Sequence, residues 1–413
     1  MKPSDSILKI FVQDEYLKLS DHERSTFFLD SFRSGVDGII QTFTASVFLL
    51  IGIRYFGIND FWKSIISSSI HFGMIISLFS SSFLSHHKPN QVAGISTLAG
   101  GLLLVLSAFS RSTAVYALTL LLCGIFLNIR MPQFTAIYAE NYHPSRMGKL
   151  FGAGILLSVI TGLASNLLSG ALLEANLEWF RWLYAVSGSL VIVSGLLLLK
   201  VPFDYKRVPV KSSPLKNLSL LIKYPVFGRV SLSWFILGFA NLWSIPLRTV
   251  YLVESERGLG LNPLTVMIIL GVIPSTVRFL CNNYWGRIFD RFSFLPIRMI
   301  TSLMVGAGIF LFFLTENIIL IIAGQIIMNI GFAAAPFLWN LWVTKVAPPG
   351  ESRAFMSVHT FLCGLRGILG PFLGFAFIQT FPMRTVGTIS LGLIVFSVTL
   401  LFPLLNRPLE SRS

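Results

Sequence analysis

"MPQFTAIYAENYHPSRMGKLFGA", residues 131–153, decides the architecture once it is laid over a second stretch, "APFLWNLWVTKVAPPGESRAFMS", residues 335–357. At a constant offset of 204 residues Pro132 falls on Pro336, Pro144 on Pro348, Lys149 on Arg353 and Phe151 on Phe355, with no gap. The same offset sets Asp37 against Asn241. It is close to half of the 413 residues, so the chain reads as two parallel repeats.

What each repeat contains follows from composition. The chain is 54% hydrophobic and 12% charged, where soluble domains carry roughly 25% charged residues, and its mean hydropathy is +0.74. Apolar runs long enough to span a bilayer fall near 34–53, 62–84, 92–110, 113–140, 148–172, 180–199, 228–253, 263–286, 296–314, 317–343, 354–379 and 385–405. Inside lipid such runs must satisfy their own backbone polar groups, and unbroken apolarity excludes the alternation of barrel strands. The predicted fold is therefore an all-α membrane protein of about twelve transmembrane helices in two six-helix pseudo-symmetric halves, 30–199 and 226–405. A polar segment 1–29 precedes the first half and a short tail, 406–413, follows the second. The first apolar run starts late, behind acidic residues, so no cleaved leader is expected. Cys123, Cys281 and Cys363 lie scattered in apolar runs, without metal or redox spacing, and read as packing residues.

A net charge of +14 invites a nucleic-acid reading. Its distribution argues against one. With the N-terminus in the cytoplasm, most Lys and Arg fall on the cytoplasmic side, which is the positive-inside pattern and places both termini inside. The segment 200–225, "KVPFDYKRVPVKSSPLKNLSLLIKYP", holds six Lys and Arg against the single acid Asp204 and reads as a basic cytoplasmic linker able to touch anionic headgroups. The bilayer is thus the expected partner, nucleic acid is not, and a bacterial cytoplasmic (inner) membrane is the expected location.

These residues resemble the major facilitator superfamily: twelve helices in two halves, a basic central loop and cytoplasmic termini. In the second half "WGRIFDRFSFLPIR" matches the family's cytoplasmic signature through Gly286, Asp290 and Arg291, with a more distant Arg298. In the first half "SSSFLSHHKPNQ" has Ser82 for the glycine and His86-His87 for Asp-Arg, so that copy has lost the signature. "AENYHPSRMGKLFG" echoes the family's turn between its fourth and fifth helices. The resemblance implies a secondary transporter and a gating role for Gly286, Asp290 and Arg291. The charge pattern agrees, since an acid at an inner helix end can pair with a base or cap a neighbouring helix and release it in another state.

Charges within the spans carry the functional reading. Arg33, Arg130, Arg248, Arg278 and Arg366 are embedded, with His359, while Asp37 is the clearly embedded acid. Embedded ionisable groups face a polar cavity or a partner. One carboxylate cannot neutralise five guanidiniums, so an anionic substrate is the simplest compensation, and arginine suits carboxylate or phosphate through its fork. Arg366 sits mid-span in "CGLRGILGPFLG", Arg278 beside Asn282 and Asn283, and Arg130 ahead of Gln133. The Arg130–Gln133 pair is similar to the family's fourth-helix Arg-x-x-Gln motif but lies about two turns nearer the cytoplasm, and that motif's antiport role is not carried over. Arg248 reads equally well as a snorkelling side chain. Arg33 and Asp37, four apart, share one helix face; the pair is the candidate for proton coupling, with a local ion pair as the alternative. Trp234, Trp243, Trp339 and Trp342 fall on the seventh and tenth spans, which line the cavity in the resembled family. Trp339 and Asn340 would then suit a substrate with an apolar body and an anionic head, whereas Trp342 reads more readily as a lipid-belt residue.

No phosphate-binding Gly-rich loop, metal-ligand cluster or nucleophile motif is present in the sequence. No cofactor or metal and no enzymatic activity are expected. The expectation is a secondary active transporter that moves a small organic anion by alternating access, with protons as coupling ion. Its rivals are a proton-coupled antiporter of drugs or neutral solutes and a non-transporting membrane receptor or assembly factor.

Overall fold

A computed structural model describes residues 19–203, 214–335, 338, 342–343, 346–348 and 351–405. Among them there is no strand. Twelve helical rods run in order: α1 Asp21–Arg54, α2 Asp60–Phe83, α3 Pro89–Ala108, α4 Thr113–Asn141, α5 Pro144–Ala175, α6 Phe180–Leu199, α7 Pro225–Val253, α8 over 263–291, α9 Phe294–Leu314, α10 Ile318–Phe332, α11 Ser352–Phe377 and α12 Met383–Thr399. Ten of the described helical stretches are long and apolar enough to cross a membrane, and Ile318–Phe332 is a shorter apolar one. Polar signals set the starts. Ser20 and Glu23 form a capping box ahead of α1, Ser112 caps α4, and Asn262 and Asn317 cap α8 and α10. Pro89, Pro225 and Pro263 occupy first turns, where the missing N–H costs nothing.

The two halves are built alike. In the first, α3 packs on α6, α2 on α4 and α1 on α5; in the second, α9 packs on α12, α8 on α10 and α7 on α11. Shifted by 204 residues, each helix of the first half falls within a few positions of its counterpart in the second. The halves meet through α2 against α11 and α5 against α8, which are themselves repeat-related pairs. Glycine permits the close crossings. A Cβ at Gly367 would lie 2.0 Å from the His71 ring, and one at Gly271 would lie 1.7 Å from Asn166 Oδ1. Within the first half α3 and α6 run antiparallel over a glycine seam, Gly94 facing Gly195 and Gly101 facing Gly188.

Loop contacts define two faces. The terminal face carries the start of α1, where the Glu23 carboxylate accepts from the His143 backbone N–H, and the stretch just after α6, where Asn90 Nδ2 donates to the Val201 carbonyl. On the opposite face Tyr55 Oη donates to Glu178, and the starts of α2 and of the α7–α8 loop touch. Near that face the first half is filled by aromatic rings. Tyr116 Oη donates to the Phe48 carbonyl at 2.8 Å and pairs with Tyr184 Oη, among Phe43, Phe48, Phe56 and Phe180.

Candidate functional site

The embedded charges separate into two groups of different character. In the first half, Arg33, Asp37 and a second acid, Asp30, stand on one face of α1 and are all buried. Arg33 Nε donates to Asp30 Oδ1 at 2.6 Å, Nη1 donates to Asp37, and Nη2 reaches Tyr138 Oη at 3.0 Å. Tyr138 Oη in turn donates to Asp30 at 2.8 Å. Arg130 crosses from α4, where Pro132 interrupts the helix, and its Nη2 donates to the other Asp37 oxygen. Two carboxylates therefore balance two guanidiniums. Asp30 was missed in the sequence because it stands at the polar edge of the run, though its i, i+3 spacing to Arg33 was the available signal.

This cluster borders a cavity of about 680 Å³ between α1, α4 and α5. Arg33, Ser34, Asp37 and Gln41 line one wall, and Phe134, Tyr138, Met147 and Phe151 line the others. The Arg33 guanidinium also lies 4.4 Å from the centre of the Phe134 ring. Gln133 is half-buried and is not among the residues lining this cavity.

In the second half the balance is absent. Arg248 and Arg278 line a cavity of about 240 Å³ together with Asn241, Thr249, Gln325 and Asn329. Arg278 Nε donates to Asn329 Oδ1 at 2.8 Å, and Asn329 is oriented by donating to the Gln325 carbonyl. Arg248 contacts Met328 Sδ, and its Nε has no hydrogen-bond partner among the described residues. Among the described residues no carboxylate belongs to the lining. Two π-helical turns meet at this cavity. Phe43–Val47 of α1 contributes Ala45, and Ile268–Val272 of α8, just before Pro274, contributes Leu270. Such turns recur at functional sites because they break the helical register locally. Arg248, read from sequence as equally a snorkelling residue, thus shares a cavity with Arg278.

Arg366 and His359, read from sequence as candidate substrate ligands, are not among the residues that line either cavity. Arg366 packs between α11 and α7: its Nη1 donates to the Trp234 carbonyl, Nη2 lies 3.6 Å from Cys363 Sγ, and a Cβ at Gly238 would fall 2.0 Å from its Cζ. The mid-span glycines that framed Arg366 in sequence serve the crossing with α2, and the space Arg366 uses is supplied by Gly238. His359 is buried edge-on between Trp234 and Trp342. Trp342 is fully buried and stacked on Phe227, so it is a core residue rather than a lipid-belt one. Arg298, read with the cytoplasmic signature, is also buried, its Cζ 3.8 Å from the Trp234 ring centre. Trp339 and Asn340 lie outside the described residues. Gly286 and Asp290 fall on the last turns of α8 with their side chains outside what is described, and Arg291 is exposed at the end of that helix.

A third cluster, on the opposite face, was not anticipated. Lys63 Nζ donates to Asp60 at 3.0 Å within α2 and to Glu254 of the other half. Arg257 returns the exchange, its Nη1 lying 2.9 and 3.0 Å from the two Asp60 oxygens, and Gln379 donates to Asp60 at 3.3 Å. Burial lowers the Arg257 pKa, but hydrogen bonding and charge from Asp60, with help from Glu254 and Glu256, outweigh it and leave the pKa raised. These partners lie 191 to 319 residues apart, so only the fold reveals them.

The description "Major Facilitator Superfamily" matches residues 34–371, most of the chain. The chain belongs to the major facilitator superfamily. No curated protein sequence matches it. Among solved structures, this superfamily member is similar to a bacterial homologue of the human lysosomal transporter Spinster in an inward-facing, unoccupied conformation. The TM-score is 0.70 at 15% identity, over 93% of this chain and 97% of that one. It is similar to the nucleoside transporter NupG, TM-score 0.70 and 12% identity, over 94% and 100% of the two chains. It is also similar to the inward-open xylose transporter XylE from E. coli, TM-score 0.70 and 14% identity, over 94% and 98%. At these identities the superfamily likeness concerns the fold.

Proposed function

We propose that the protein is a secondary active transporter for a small organic anion, working by alternating access between its two halves. The observation that carries this reading is the cavity holding Arg248 and Arg278 with amides and a hydroxyl but, among the described residues, no carboxylate. A guanidinium cannot shed its charge to relieve burial, so two of them facing one small cavity favour an oxyanion, which their forks can bind through paired hydrogen bonds. A drug or neutral-solute carrier gains nothing from this arrangement. We place the terminal face in the cytoplasm, in keeping with the positive-inside pattern. The cross-half ion pairs of Asp60, Lys63, Glu254 and Arg257 then close the outer side, so the conformation faces inward.

Asp37 suits the coupling role because it touches two arginines and borders the larger cavity. A proton on Asp37 would dissolve its ion pairs and release Arg130 and Arg33 toward the cavity, so that proton and anion loading support each other.

The test is ligand-induced thermal stabilisation of the purified protein across carboxylates, phosphates and their neutral amides, followed by uptake of the best ligand into proteoliposomes. Stabilisation by anions, lost in Arg278→Gln, is expected. Equal stabilisation by anions and neutral amides would remove the anion reading, and binding without uptake would favour a receptor.

A further inference from the structure

The two cavities share no lining residue but come within one helical turn of each other along α1. Gln41 lines the larger one and Ala45, one turn further along α1, lines the smaller. On the far side Ser158 of α5 borders the larger cavity, and two turns on Asn166 lies against Gly271, next to Leu270 of the smaller. Their chemistry differs sharply. The smaller cavity presents guanidiniums and amides. Away from its α1 wall the larger one is mainly apolar, with Met131, Phe134, Met147, Phe151, Ile155 and Val159 beside the hydroxyl-bearing Thr135, Tyr138 and Ser158. Its own charged side chains, Arg33 and Asp37, already pair with each other.

Resting on the anion reading above, we infer that the substrate is amphipathic. It is an oxyanion head, carboxylate or phosphate, bound by Arg248 and Arg278, carrying an apolar, preferably aromatic, body seated in the α1–α4–α5 cavity. About 240 Å³ holds a head group but little more, and about 680 Å³ is ample for one or two rings. Methionine supports such a body because its thioether is polarisable and its chain adapts to irregular shapes. The arrangement also makes one ligand bridge the halves, head on the second and body on the first, which is what ligand-driven rocking requires.

The experiment is a matrix of probes and variants read as dissociation constants. The probes are acetate, benzoate and 2-naphthoate, methyl and phenyl phosphate, and the matching neutral amides. The wild-type protein should bind aryl oxyanions at least about tenfold tighter than acetate or methyl phosphate, as burial of an aromatic body predicts. The better of the two aryl series names the head. Phe151→Ala and Met131→Ala, at side chains 46% and 51% exposed, trim the cavity without emptying the core. They should erase the aryl gain and keep the preference for anion over amide. Arg278→Gln should do the reverse. If acetate or methyl phosphate binds as tightly as its aryl counterpart, or both trimmed variants keep the aryl gain, the amphipathic inference fails and the anion reading stands. If amides match anions in the wild type, the anion reading itself fails. Absence of saturable binding by every aryl oxyanion overturns both.

Discussion

Replacing Lys63 by methionine cuts the clasp on the opposite face at its most buried point. The Lys63 side chain is 5% exposed and Glu254 14%, against 35% for Arg257, so the Lys63–Glu254 bond is the least screened of the cross-half pairs. A hydrogen bond between charged groups contributes about 1.5–3 kcal/mol. Methionine fills much the same volume, and Asp60 keeps Arg257 and Gln379 while Glu254 keeps a 3.7 Å approach from Arg257. Little else is orphaned, so the change falls mainly on the balance between states closed and open at this face. At a tenfold change per 1.4 kcal/mol, the balance should move toward the open state by about 10–150-fold. Spin labels at Arg111, in the loop before α4, and at Thr380, in the loop before α12, report that opening as a distance distribution. Both positions are exposed. The wild type should show one short distance, and Lys63→Met should add a longer one. An unchanged distribution accompanied by a lower melting temperature would refute the gating argument and leave the clasp as ordinary stabilisation.

Asp37→Asn should abolish proton-driven accumulation and spare substrate exchange, because the amide keeps the shape but cannot exchange a proton; unchanged accumulation reduces Asp37 to the ion partner of Arg33 and Arg130. Arg366→Gln should alter the melting temperature while leaving anion affinity at the wild-type value, the opposite of Arg278→Gln, because Arg366 packs on Gly238 and borders neither cavity; a large loss of affinity in a folded Arg366→Gln protein contradicts that placement. Gly101→Ala should destabilise by about 1–3 kcal/mol, since its Cβ would stand 2.8 Å from the Ile192 backbone N and 2.9 Å from the Gly188 carbonyl oxygen, and a thermal melt within experimental error of wild type would argue against the seam. A cysteine at Ser219, exposed in the connection between the halves, should react only with reagents that enter the cytoplasm; labelling from outside in intact cells inverts the orientation.

The architecture was legible because a bilayer leaves few choices. Apolar runs of sufficient length must be helices, and the prolines at a 204-residue offset carried the duplication. Expected span limits differ from the helices mainly at polar ends. Helix α1 begins at Asp21, well before the apolar run near residue 34, because a capping box and the buried Asp30–Arg33–Asp37 set extend it. Asp30 was missed for the same reason: hydropathy marks the apolar stretch, whereas ion pairing decides how far into polar sequence the helix stays buried. Arg278 was singled out from depth and polar neighbours, and it lines the smaller cavity. Arg366 satisfied the same criteria and yet faces Gly238, because depth along a helix is readable from sequence while rotation about it depends on which partner supplies space. The Lys63–Glu254 exchange was out of reach altogether, as each residue alone is an ordinary charge near a span end.

The repeat also makes the distribution of charge informative. Related positions carry unlike residues: Asp37 corresponds to Asn241, Arg248 to Thr44, Arg278 to Met74 and Arg298 to Gly94. Duplication supplied two similar scaffolds, and each was charged separately. The first half acquired a closed set, Asp30, Arg33, Asp37 and Arg130, whose members satisfy one another through two ion pairs within α1 and one between α1 and α4. The second half acquired Arg248, Arg278, Arg298 and Arg366, while inside its helices the sequence offers only Asp290, on the last turn of α8, as an acid, with Glu254, Glu256, Glu316 and Glu351 in the connections between them. A balanced network can exchange partners at low cost, which suits a proton-linked switch. An unbalanced pair in a small cavity gains most from a counter-charge arriving from outside, which suits substrate capture. Since the halves touch chiefly along α2–α11 and α5–α8, a ligand that neutralises the second half while touching the first acts on the same contacts that rocking must rearrange. If the substrate is the anion proposed above, its transport and the movement of the halves are in that sense one electrostatic event.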